Sequence, residues 1–238
     1  MPLESPSPAT IRFIAQAHQA YVSLMQSAAA RNKESLGGDL LYVGELDEPG
    51  RKLAGASNIG GAASLVASRD AAVLRQAMRD GIIDFLVTSL DEALRILKNE
   101  IRKCQPVAVA VSVAPQAIVK EMLDRGVLPD LLPPLQSPSA PLEFATFIAQ
   151  GAKPIAPQPL AAGSRFLIWP IPAEFAQHPA EFDELLTRHL PADDLATRRW
   201  LRLSPRFLGP QGRRLRSLAC DQEIASRLFD VLGPPIQS

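Results

Sequence analysis

The sequence predicts an α/β fold, a doubly wound and mostly parallel sheet with helices on both faces, on three observations. Between residues 39 and 132 short apolar runs alternate with helix-period segments of about a dozen residues, the pattern of βαβ units joined by right-handed crossovers. The run at 107–113, VAVAVSV, is unbroken and valine-rich, as a central strand covered on both faces has to be. Start and stop chemistry falls at the borders, with Asp70 and Ser89 as N-caps and Gly81 and Gly126 as stops.

Taken in order, residues 8–31 carry Ile11, Ile14, Ala17, Tyr21, Leu24, Met25 and Ala28 at three- and four-residue intervals, an amphipathic helix that ends before Gly37-Gly38. A buried strand follows at 39–44 (DLLYVG), then a short helix at 53–59 with Pro49 suited to a first helical turn, then a second strand at 62–67 (AASLVA). The next helix starts at Asp70, turns Val73, Leu74, Ala77 and Met78 inward, and stops at Asp80-Gly81 before a third strand at 85–88. Ser89 and Glu92 form a capping box, each side chain reaching the other's backbone N–H, and the helix they open runs to Lys103. Strand 107–113, a helix with Pro115 in its first turn, and a strand at 130–132 complete the regular pattern. Residues 133–160 are a proline-rich connection holding a short helix at 144–150. Strands at 165–171 and 215–220 and helices at 179–190, 193–203 and 222–232 fill the remainder. The expected division is an N-terminal helix, residues 1–36, packing on one α/β domain, residues 37–238.

Composition narrows the function classes. Hydrophobic residues at 47% and charged residues at 21% imply a packed core. Lys plus Arg (25) equals Asp plus Glu (25), so the electrostatic footprint of nucleic-acid or anionic-membrane binding is missing, and neither is expected as a partner. Cys104 and Cys220 show neither CxxC nor His–Cys ligand spacing, and His18, His178 and His189 have no metal-like spacing, so no metal site is expected and a reducing cytoplasm is. The opening MPLESPSPAT has no basic region followed by an apolar run, and no apolar stretch reaches about 18 residues, so neither export nor a membrane span is expected. The arginines between 198 and 216 read as a solvated helical face, and Gly55 to Gly61 as a surface for close helix-to-sheet packing.

Several stretches then resemble one known family. GDLLYVG, a loop and GGAASLV lie between residues 38 and 66; TSLDEAL spans 88–94; Glu100, Pro106, Arg125-Gly126-Val127 and Pro129-Asp130 follow in order; and WLRL with Pro210-Gln211-Gly212 and LFDVL lies between 200 and 232. These are similar to the NAD-binding, Rossmann-like domain of urocanase (urocanate hydratase), which adds water to urocanate with tightly bound NAD as electrophile, and the chain looks like a shortened, divergent member. The resemblance implies a Rossmann-like fold and a link to histidine degradation. It places the remnants of a cofactor site at Gly44, Gly50, Asp70 and Thr88.

The departures are as informative. The family's loop after the first strand, of the form GLGGMGGAQ, uses glycines so that backbone N–H groups approach the NAD pyrophosphate. Here it reads Gly44-Glu45-Leu46-Asp47-Glu48-Pro49-Gly50-Arg51-Lys52, with three carboxylates where a doubly charged pyrophosphate would sit. The acid that holds the adenosine ribose is missing from the end of the second strand, where only Asp70 could substitute and an N-cap role explains it as well. The family's DQTSAHDPL appears as Pro134-Leu135-Gln136-Ser137-Pro138-Ser139-Ala140-Pro141-Leu142, keeping Ser137, Pro141 and Leu142, and the family's catalytic cysteine, arginine and tyrosine have no recognisable counterpart. The expectation is a pseudoenzyme without NAD, acting as a binding or assembly protein. Two alternatives stand beside it: an enzyme acting on another small ligand at the carboxyl ends of the strands, near Gly44, Thr88 and Ser112, or residual urocanate hydratase. A homodimer or a urocanase-like partner is the protein assembly the resemblance implies.

Overall fold

A computed structural model describes residues 6–135 and 143–237. The chain opens with α1 (Pro8–Ala29), then β1 (Leu40–Glu45), α2 (Glu48–Gly60), β2 (Ala63–Ala67), α3 (Ala71–Asp80), β3 (Phe85–Val87), α4 (Leu90–Arg102), β4 (Val107–Val111), α5 (Pro115–Asp124), β5 (Leu131–Leu132), α6 (Phe144–Ala149) and β6 (Lys153–Pro154). The six strands form one sheet in the order β3-β4-β2-β1-β5-β6, and every neighbouring pair is parallel. Alternate residues face two cores. Leu41, Val66, Ala108 and Ala110 meet α1, α2 and α3 on one face; Tyr42, Leu65, Val109 and Val111 meet α4, α5 and α6 on the other. The sheet is therefore doubly wound, as the strand–helix alternation predicts.

Strand order locates the switch point. From β1 the chain passes over one face through α2 to β2; from β4 it returns across the other face through α5 to β5, on the opposite side of β1. Connections that leave neighbouring strands toward opposite faces open a crevice beyond the carboxyl ends of β1 and β5.

Local chemistry sets the borders. Asp47 caps α2 through the Gly50 N–H at 2.8 Å, so that helix begins five residues before the expected 53. Asp70 caps α3 through Ala72 and Val73, as expected. Met78 differs, standing exposed while Leu74 and Ala77 alone of that stripe are fully buried. Ser89 accepts from the Glu92 N–H, but the Glu92 carboxylate takes the N–H and hydroxyl of Thr88 rather than the Ser89 N–H, so the capping box is displaced by one residue.

After β6 the chain leaves the parallel sheet. β7 (Arg165–Pro170), a 3-10 turn, α7 (Pro179–Arg188), α8 (Leu195–Phe207), α9 (Gly209–Arg214), β8 (Leu215–Cys220), α10 (Gln222–Leu232) and β9 (Ile236–Gln237) follow. β8, β7 and β9 make a separate three-stranded antiparallel sheet. The strands at 165 and 215 are thus real but are not part of the doubly wound sheet, and Pro210-Gln211-Gly212 lies inside α9. This sheet has its own core, in which Leu167, Trp169 and Leu218 pack on Phe182, Leu186 and Leu228. Trp200 and Leu201, adjacent on α8, enter different cores and join the two sheets. No helix among the described residues is long and apolar enough to cross a membrane.

Candidate functional site

β1 ends irregularly. Its pairing with β2 slips between Tyr42 and Gly44, a bulge that leaves Gly44 at φ +90°, a conformation L side chains rarely adopt. The bulge turns Glu45 outward, and the chain folds back so tightly that a Cβ on Gly50 would lie 2.0 Å from the Glu45 carbonyl oxygen. The first turn of α2 therefore rests on the end of its own strand. Asp47 takes the Gly50 N–H with its carboxylate and the Arg51 N–H with its carbonyl, and Pro49 has none.

Outside this turn lies a cleft of about 690 Å³ at the switch point. Tyr42 and Phe144 form its floor, with rings edge-to-face at 6.0 Å and the Tyr42 hydroxyl donating to the Pro115 carbonyl at 3.1 Å. Burial, reinforced by the neighbouring Glu45 carboxylate, pushes that phenol above its ordinary range. Pro115, Pro133 and Pro134 line the walls, and Gln16, Glu45, Asp47, Lys52 and Gln116 supply polar groups. Lys52 is almost covered; its ammonium donates to Gln16 at 2.5 Å and to Glu48 at 2.6 Å and sits 5.9 Å from the Phe13 ring. That ion pair holds the Glu48 carboxyl below its usual range. Arg51 turns away to Asp80 at 2.5 Å.

The residues expected to mark the cofactor site scatter over this end of the sheet. Gly44 and Gly50 line the cleft. Asp70 lies three residues past β2, its carboxylate on two α3 N–H groups. Thr88 follows β3, three strands from β1 or roughly 14 Å across the sheet, and gives its donors to Glu92. Ser112 gives its N–H to Val87. Neither Thr88 nor Ser112 lines the cleft. Ser137, Pro141 and Leu142 lie outside the described residues.

Gln16, Tyr42, Lys52, Gln116 and Phe144 were not singled out from the sequence as site residues. Only the i,i+4 pair Glu48–Lys52 left a local signal.

Other candidate chemistry is absorbed by structure. His18 is buried among Tyr21, Phe166 and Trp200, with the nearest ring centroid at 4.6 Å. Cys220 belongs to the second core, and burial followed by Asp221 raises its thiol to about 11. Arg216 is buried against Asp183, and Arg198 holds the carbonyls of Leu190 and Pro191, so the arginine run is only partly a solvated face. Among the described residues no cluster of His, Cys, Asp and Glu could hold a metal ion.

Comparison with known families gives a match over residues 17–148 to the urocanase Rossmann-like domain. The matched segment contains every strand of the parallel sheet except β6, both walls of the cleft and all four expected cofactor positions, and it stops short of the second sheet. With more than half of the chain matched and the sheet wound as that domain requires, the protein belongs to the urocanase family, through its Rossmann-like domain.

Proposed function

We propose that this family member has given up NAD-dependent urocanate hydration and binds a different small ligand in the cleft between β1 and β5. The observation that carries the reading is Asp47, whose carboxylate occupies the mouth of α2 where a pyrophosphate oxygen would have to accept hydrogen bonds. The residues present do not fit NAD. Pro49 offers no N–H, the Glu45 carbonyl closes over Gly50, and the Glu45 and Asp47 carboxylates add negative charge to a loop that would meet two phosphates, Glu48 being paired with Lys52. Like charges at 4 Å repel by about 4 kcal/mol near a protein surface, against about 0.3–1 kcal/mol that an acid contributes to its own helix start. The cleft nevertheless stays open, mostly apolar-lined with a few polar groups converging on it, which supports a ligand there. A link to histidine degradation is supported by family membership alone.

Two measurements test the two halves. Pure protein with urocanate and NAD should leave urocanate absorbance unchanged; turnover at an enzyme-like rate sinks the first half. A library of small polar fragments screened by amide NMR should shift signals at the end of β1 and the start of α2, and a library with no response there removes the second.

A further inference from the structure

Beside the main cleft, and sharing Glu45, Pro115 and Gln116 with it, is a side lobe of about 290 Å³ that adds Arg69, Ala114 and Ala117 to its lining. Glu45 and Arg69 stand at adjacent strand ends: Glu45 pairs in register with Ala67, and Arg69 follows two residues later. Both are exposed, and among the described residues neither has an ion-pair partner, including the other. They frame a concave space floored by the small apolar residues Ala114, Pro115 and Ala117. Lys52 is already held by Glu48 and Asp47 by the Gly50 N–H, so the charges open to a ligand are Glu45 and Arg69, one of each sign; separated plus and minus charges on one ligand gain at both.

Resting on the reading of this cleft as a small-ligand site, we propose that it takes a compact zwitterion of the free α-amino acid type. Its ammonium binds Glu45, its carboxylate binds Arg69, and an apolar or aromatic side chain extends into the main cleft over Tyr42 and Phe144. The Gln116 amide, placed between lobe and cleft, can donate to the carboxylate or accept from the ammonium.

The test titrates the full chain, observed by amide NMR, with L-phenylalanine and L-leucine, with their N-acetyl derivatives, which lack the ammonium, with their amides, which lack the carboxylate, and with NAD. The free amino acids should shift the signals of Gly44, Glu45 and Arg69. Glu45→Gln and Arg69→Gln, both exposed and compatible with folding, should each weaken binding roughly tenfold or more. Equal binding by the N-acetyl or amide forms, or no response to the amino acids while library fragments still occupy the cleft, overturns the zwitterion and leaves the cleft reading standing. Saturable NAD binding that shifts α2, or silence toward both panels, overturns both.

Discussion

A Cβ added to Gly50 would stand 2.0 Å from the Glu45 carbonyl oxygen, whereas one added to Gly44 would meet open space at φ +90°. The two glycines thus fail differently when replaced. Gly50→Ala must displace backbone and should cost about 3 kcal/mol, at the upper end of overpacking; Gly44→Ala meets only conformational strain, about 1–2 kcal/mol. Urea unfolding of the two variants would separate them, and equal losses would show that contact plays no part. His18 is the titrating residue whose burial matters most. Burial lowers its pKa from 6.5 to about 3, so the folded protein keeps it neutral while the unfolded chain takes up a proton below 6.5. Stability present above 6.5 is therefore lost progressively as pH falls toward 3, by about 2 kcal/mol at pH 5. His18→Phe should flatten that slope; unfolding midpoints at about pH 7.5 and about pH 5 for both proteins check it. At this scale the sequence was legible where a residue acts on near neighbours, as Asp70 does. It was silent on His18, whose partners Phe166 and Trp200 are distant in the chain.

α2 shows how one element acquires several duties. Its N-terminus is capped by Asp47, its Lys52 crosses to Gln16 on α1, and Gly55 lies so close to α8 that a Cβ would meet the Phe207 carbonyl at 2.9 Å. The small-residue run was expected to bring helix and sheet together; at Gly55 it brings helix and helix together instead. Asp47→Ala should cost about 1 kcal/mol as a lost cap, and by freeing the Gly50 N–H should not create NAD affinity, because Pro49 and the Glu45 carbonyl remain. Calorimetry with NAD tests this; micromolar binding by the variant would show that the carboxylate alone excludes the cofactor. Ser89→Ala at the start of α4 should cost a similar amount and leave the cleft unchanged, since that cap lies across the sheet.

At the scale of the whole molecule, α8 and α1 join the two sheets. Trp200 is fully buried, its indole N–H donates to Ser217 on β8, and its ring stands against His18 and Tyr21 of α1, while the Tyr21 hydroxyl reaches back to the Ala196 carbonyl at 2.9 Å. Trp200→Ala should cost about 3–5 kcal/mol and loosen one sheet against the other, so that unfolding followed by fluorescence of the remaining Trp169 departs from unfolding followed by far-ultraviolet dichroism. Coincident curves would mean that the sheets still unfold together. The doubly wound sheet, the caps Asp70 and Ser89, the family and the rebuilt loop after β1 are legible in the sequence. Each of those is written in short-range periodicity, in spacings of three or four residues, or in motifs of several adjacent positions. That strands at 165 and 215 pair antiparallel in a second sheet, and that the rebuilt loop still borders an open cleft, emerges only once the chain is folded. So does the sharing of that end of the sheet by Glu45, Arg69, Gln116 and Phe144. The reason is physical: strand pairing and cleft lining are contacts between segments tens of residues apart, set by which faces must be buried together, and one segment's own pattern does not name its partner.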